Sequence, residues 1–232
     1  ESAKRIGLPD VDKAEIQKLV TETLNSVTHE NVVLRVYWTP GRERELNPQA
    51  LVLVSELPND LDLTRENGIK LISLSLGIST AERLSSPWML AGVKSTSYAV
   101  NMAAEAEAQR RGANDAIFLD SSSQVLECPV SNVWWLYKDT LETPSLDLGI
   151  LAGVTRAEVL RLAQKLNLKV TEGSWNINRL YNADEVFTSS SIRELMPAVS
   201  VDGNTIGNGT PGSLVPKLQE ELRRAATPSP IR

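Results

Sequence analysis

Apolar residues Ile16, Leu19, Val20 and Leu24 recur at helical spacing behind Asp12-Lys13-Ala14-Glu15, a capping-box pattern, and predict a helix from about residue 13. Ahead of it, Glu1 to Leu8 reads as the end of another helix, with Gly7 as its C-cap and Pro9 as a stop. Two strand-like runs follow, Asn31 to Trp38 and Ala50 to Ser55, separated by the turn-rich Thr39-Pro40-Gly41 and Asn47-Pro48. Polar Pro58-Asn59-Asp60-Leu61-Asp62 reads as a linker, and Ile69 to Leu76 opens a second set of strands. Ser79 to Pro87 has no clear period and is expected to be an exposed loop.

Beyond Lys94 the alanine-, glutamate- and glutamine-rich run Ala99 to Arg111 predicts a helix capped by Gly112. Asp115 to Asp120, Gln124 to Glu127 and Asn132 to Tyr137 then read as consecutive antiparallel strands, with a serine turn at Ser121 to Ser123. Trp134 and Trp135 alternate within the last of these, which suits core and interface packing. Asp202-Gly203-Asn204 and Gly207-Asn208-Gly209 have hairpin turn chemistry, and Arg223 to Arg232 reads as a helix fraying into a Pro-containing tail. Strands with one helix between them, without regular βαβ alternation, imply an α+β or mixed fold. There is no Rossmann glycine fingerprint and no internal repeat.

Composition narrows the field. At 232 residues and 41% hydrophobic content, one or two domains are expected. Twenty-four basic residues against 29 acidic ones give a formal charge of -5, with no basic footprint for nucleic acid. No apolar run approaches the length of a membrane span. A single cysteine, Cys128, excludes an internal disulfide and fits a reducing compartment, and Glu1 to Arg5 is not followed by the apolar core of a signal peptide, so a cytoplasmic location is expected. The only histidine, His29, lies in the polar turn Thr28-His29-Glu30-Asn31, which argues against histidine-dependent hydrolysis and against a zinc site; no metal is expected.

The candidate chemistry begins at Lys94-Ser95-Thr96-Ser97-Tyr98 and at Glu127-Cys128-Pro129-Val130-Ser131-Asn132. A lysine amine closes a Schiff base with the aldehyde of pyridoxal 5′-phosphate, and an ionised carboxylate opposite the pyridine nitrogen keeps that nitrogen protonated. Either residue alone is ordinary: a lysine at a strand end is usually a solvated charge, and Glu127 could be a sheet-edge charge. Further along, Leu151-Ala152-Gly153-Val154-Thr155-Arg156 leads into a helix, where Gly153 lets the backbone approach an anion and the helix N-terminus favours phosphate. Ser189-Ser190-Ser191-Ile192 follows an apolar strand and could close a phosphate cup from the other side.

These motifs, in this order, resemble the class IV (fold type IV) pyridoxal phosphate enzymes: branched-chain and D-amino acid aminotransferases, R-selective amine transaminases and aminodeoxychorismate lyases. The resemblance runs from about Glu1 through Gly212 and the helix after it. It implies two domains. Residues 1–60 would be the remainder of a small α/β domain whose N-terminal part, with an arginine for the cofactor phosphate, lies upstream. Residues 61–232 would form a larger, mainly antiparallel, β-barrel-like domain with flanking helices.

The resemblance further implies that Lys94 forms the Schiff base and shuttles a proton between the substrate α-carbon and the cofactor, in a setting where burial helps it to be neutral for part of the cycle. Glu127 would serve the pyridine nitrogen; Leu151 would pack on the ring; Gly153, Val154, Thr155, Ser190 and Ser191 would hold the phosphate. Tyr98, the backbone amide of Ile192, and Arg35 or Tyr37 would meet the substrate. Cys128 and Pro129 replace the small residues usual after the glutamate, and Ala152 stands where many members have proline. The implied activity is ping-pong transamination between a small amine or amino acid and a keto acid, in a homodimer; an aminodeoxychorismate lyase releasing pyruvate and 4-aminobenzoate is the alternative.

Overall fold

The computed structural model describes residues 1–29, 31–42 and 47–226. Glu30 of the expected turn and residues 227–232 of the expected tail lie outside them. The chain divides into two compact units, Glu1–Asn59 and Asp60–Arg232.

In the first unit, α1 (Ser2–Arg5) ends in a Schellman arrangement in which Gly7, at φ +73°, donates to Lys4 and Leu8 donates to Ala3. Helix α2 (Lys13–Asn25) starts at Asp12, whose carboxylate accepts the amides of Ala14 and Glu15. The antiparallel pair β1 (Val32–Thr39) and β2 (Gln49–Glu56) completes the unit.

The second unit corrects the expected linker, because Leu61 and Asp62 already belong to α3 (Leu61–Asn67), anchored by the carbonyl of Asp60 accepting from Thr64. After β3 (Ile69–Ser75), the segment expected to be a loop contains α4 (Thr80–Ser85) and a 3-10 turn at Pro87–Met89. The cause is local: Ser79 and Glu82 form a reciprocal capping box, which stabilises a helix too short to show a hydrophobic period. Then come α5 (Ala99–Arg110), β4 (Asp115–Leu119), β5 (Asn132–Tyr137), β6 (Thr140–Pro144), α6 (Val154–Lys165), β7 (Lys169–Gly173), α7 (Asn178–Tyr181), β8 (Glu185–Ser190), β9 (Glu194–Val201), the short β10 (Asn204–Thr205) and α8 (Leu214–Ala226).

The strands form one mixed sheet in the order β4-β3-β9-β8-β5-β6-β7. Its middle, from β9 through β8 and β5 to β6, is antiparallel, whereas β3 pairs in parallel with both β4 and β9, and β6 with β7. The expected succession of antiparallel neighbours therefore stops after Glu127: β5 pairs with β6 and β8 instead. Gln124 to Glu127 is a seam and not a full strand. It exchanges backbone bonds with Phe118 on one side, and on the other Val125 donates to the Trp175 carbonyl at 2.8 Å while Gln124 bridges Asn176. Since β4 and β7 are the two ends of the sheet, this seam closes it into a barrel-like form.

Period two along β5 sends the adjacent tryptophans to opposite faces. Trp135 joins Leu71, Ile117, Val133 and Met196 in one core, with Trp175 edge-on at 5.2 Å between ring centroids. Trp134 stacks on Phe187 in a second core covered by Val159, Leu162 and Leu218 of α6 and α8. Both are fully buried within this chain, so core packing accounts for both. A third cluster seats Ala104 and Ala108 of α5 against Ile72 and Phe118.

The capping box makes one prediction. Ser79→Ala removes the hydroxyl that accepts the Glu82 amide, and a fall in melting temperature of about 3 °C is expected; an unchanged melting curve would show that α4 is held by packing alone.

Candidate active site

Glu127 is placed by the seam, its carbonyl accepting from Phe118, near the end of β4, at 2.8 Å. Its Oε2 accepts the Leu151 amide at 3.0 Å. Five residues on, Asn132 donates from Nδ2 to the Leu151 carbonyl at 2.9 Å. Leu151 is thus gripped at both backbone polar atoms. The Oδ1 of Asn132 also lies against Gly153, where a Cβ would come within 2.3 Å of it, so glycine is required there. The Cys128-Pro129 replacement leaves an ordered turn: Cys128 donates to the Ser131 carbonyl at 2.8 Å, and Asn101 donates to the carbonyl of Pro129.

Gly153 is the N-cap of α6 and offers no side chain to the first-turn amides. Val154 is 75% exposed and Thr155 half-buried, which leaves that helix end accessible to an anion. Asn132 pairs with Ser189 across β5 and β8, so the Leu151–Gly153 loop and the turn after Ser190 meet at the same end of the sheet. In that turn Ser190 Oγ accepts the Arg193 amide at 3.3 Å and Ser191 is exposed. Ser189 points inward and accepts from the Trp134 indole.

Lys94 departs from expectation. It sits in the loop before α5, not on the sheet, and its side chain is exposed rather than buried. Its Nζ donates to the Tyr98 hydroxyl, four residues on, and lies 4.9 Å from the centre of that ring. Tyr98 therefore orients Lys94 in this structure. Arg35 and Tyr37 lie in the first unit, on the face of β1 that their register shares with Leu53 and Leu51; Arg35 donates to Ser55 at 3.0 Å. His29 faces Glu56 at 3.0 Å, and no cluster of metal-ligating side chains occurs among the described residues.

Arg83 was not foreseen. It projects from α4, donates to the carbonyls of Leu148 and Gly149 at 2.7 and 3.1 Å, and lies close enough to Glu127 to act on its charge. Burial pushes the Glu127 carboxyl up to about 7, opposed by the Leu151 amide and by the charges of Arg83 and Lys94. A protonated pyridine nitrogen would add a further cation beside this enclosed carboxylate. Together with the accessible helix end and the nearby lysine, the residues present fit pyridoxal phosphate.

The comparisons agree in kind. The profile of the family described as "Amino-transferase class IV" matches residues 1–201. A bifunctional aminodeoxychorismate lyase / D-amino acid transaminase of Mycobacterium tuberculosis is 28% identical over 89% of this chain and 75% of that protein. Among solved structures, the fold IV transaminase CpuTA1 of Curtobacterium pusillum is 32% identical with a TM-score of 0.83, covering 96% of this chain and 76% of that one. A hypothetical aminotransferase from Mycobacterium tuberculosis in its PLP-bound form is 27% identical with a TM-score of 0.88, over 97% and 79%. The chain spans 75% to 79% of the lengths of these three proteins.

The upward shift in the pKa of Glu127 makes a pH prediction for the ligand-free protein. Between about pH 4.5 and 7 the folded state holds a proton that the unfolded chain has released. The stability linked to that proton is fully present below the unfolded value and is lost as pH rises through about 7. Glu127→Gln is neutral throughout, so it should melt about 5 °C above the parent at pH 8, the gap closing towards pH 4.5. Melting curves across that range check this, and a pH-independent gap contradicts it.

Proposed function

This chain belongs to the class IV aminotransferase family, and on that premise we propose that it moves an amino group between a small amine or amino acid and a keto acid, in two half-reactions on one pyridoxal 5′-phosphate. The observation that carries the reading is the grip of Glu127 on the Leu151 amide, which ties the acid to the loop entering α6. When bound, the cofactor supplies an electron sink for the substrate carbon. Lys94 would tether the cofactor through its aldehyde, and its Nζ, once freed by the substrate amine, would move the proton of the substrate α-carbon; Tyr98 holds that nitrogen in place. The Glu127 carboxylate would serve the ring nitrogen and Leu151 would pack on the ring. The amides of Val154 and Thr155, the close approach allowed at Gly153, and the hydroxyls of Ser190 and Ser191 would hold the phosphate. The Ile192 amide meets the substrate carboxylate. The working protein is a homodimer in the cytoplasm.

Aminodeoxychorismate lyase activity is the second reading, favoured by the relative whose name carries both reactions. The same lysine and acid serve it, since elimination of pyruvate begins with the same proton abstraction.

Borohydride reduction of the cofactor-loaded protein and peptide mapping should place the adduct on Lys94; an adduct on Lys70 or Lys138 would sink the assignment. The reaction type is separable by single turnover. An amino donor such as D-alanine, a branched-chain L-amino acid or an R-configured aryl amine, given without keto acid, should convert the cofactor to its amine form once per site, reversed by pyruvate or 2-oxoglutarate. Release of pyruvate and 4-aminobenzoate from aminodeoxychorismate, with no donor half-reaction, would select the lyase.

A further inference from the structure

The turn between β8 and β9 is held more tightly than its exposure suggests. Ser190 opposes Glu194 in the ladder, so Ser191, Ile192 and Arg193 form a three-residue loop. Glu194 closes it at φ +55°, a left-handed conformation that a residue with a side chain adopts only when its surroundings enforce it. Three sets of contacts do so. The Arg193 guanidinium pairs with Asp115 at 2.5 Å, an acid at the start of β4 with no exposed surface, and lies 3.9 Å from Glu105 on α5. The Arg193 carbonyl accepts from Nε and Nη2 of Arg65 at 3.2 and 3.1 Å. The Glu194 carboxylate pairs with Arg65 at 3.1 Å and with Arg223 at 3.0 Å. Arg193 and Glu194 thus pair outward to different elements and not with each other.

These contacts pull on the turn from two sides. Arg193 ties its tip to β4 and α5, while Arg65 ties its backbone to α3. A buried carboxylate whose cation is removed is costly, so the Asp115 pairing strongly fixes where Arg193, and the loop with it, must lie. The Arg193 amide also donates to Ser190 Oγ, linking the strut directly to a serine of the turn.

We propose that Arg193 is a positioning residue whose bond to Asp115 fixes the Ser190–Ile192 turn in the shape that binds the phosphate of the cofactor, a reading that rests on the assignment of this turn to the phosphate. Arg193 itself touches neither phosphate nor substrate in this role. Losing the strut frees the turn, and the loss falls on the phosphorylated ligand.

The test is a titration of the ligand-free full chain with pyridoxamine 5′-phosphate and with pyridoxamine, followed by tryptophan fluorescence, for the parent, Arg193→Met and Arg193→Lys. Arg193→Met should weaken pyridoxamine 5′-phosphate roughly tenfold, the worth of a charge-assisted bond, and leave pyridoxamine unchanged. Arg193→Lys keeps a cation for Asp115 without the planar fork, and should lose about threefold on the same ligand alone. If Arg193→Met does not fold, as judged by circular dichroism, Arg193→Lys carries the test. Unchanged affinity for the phosphorylated ligand, or an equal loss for both ligands, overturns the proposal. A parent protein that binds the two ligands equally overturns it at its premise, because the turn then does not serve a phosphate.

Discussion

The site depends on one backbone unit, Leu151, whose N–H is taken by a carboxylate and whose C=O is taken by an amide side chain. These two bonds join the seam that ends at Glu127 and the first residue of β5, its near neighbour in sequence, to the loop entering α6, 24 and 19 residues further on. Without them the helix end that can hold an anion has no fixed relation to the acid. Neither bond is exceptional in strength, since a net hydrogen bond contributes about 1 kcal/mol. Their effect is geometric, because Gly153 leaves no room for the loop to shift past Asn132.

The same economy appears in the electrostatics. Enclosure alone would favour a neutral Glu127, and the positive groups near it, Arg83 and Lys94, oppose that only in part. The remaining bias makes the acid responsive to whatever cation approaches it. Its neighbours hold it in place and leave its ionisation open.

Much of this was legible in the sequence where local signals coincide with tertiary ones. The helix over Ala99–Arg110 and the strands Asp115–Leu119 and Asn132–Tyr137 stand close to where composition and alternation put them. Glu127, Gly153 and Ser190 gather at one sheet end. What escaped was of two kinds. Helices α3 and α4 are short; the evidence for α4 lies in the Ser79–Glu82 pair, which period counting passes over, and the side chain of Asp60 makes no cap for α3. Pairing partners are non-local: nothing within Ile69–Ser75 says that it will lie beside both Asp115–Leu119 and Glu194–Val201. Arg83 is hidden with α4, although the capping box offers the signal; Asn132 ends the run that begins at Glu127, but its grip on Leu151 needs the fold to be visible.

The placement of β3 carries a consequence for how the chain is made. Its parallel neighbour β4 emerges some forty residues after it, but its other neighbour, β9, is separated from it by well over a hundred. A growing chain can therefore form the β3–β4 half with α5 against it while the far edge of β3 waits, unpaired, for nearly the whole second unit to be synthesised. Parallel strands offer no tight hairpin to shorten that wait. The polar positions on β3, Lys70, Ser73 and Ser75, interrupt its apolar run, and a strand so interrupted is a poor template for a neighbouring nascent chain during the interval.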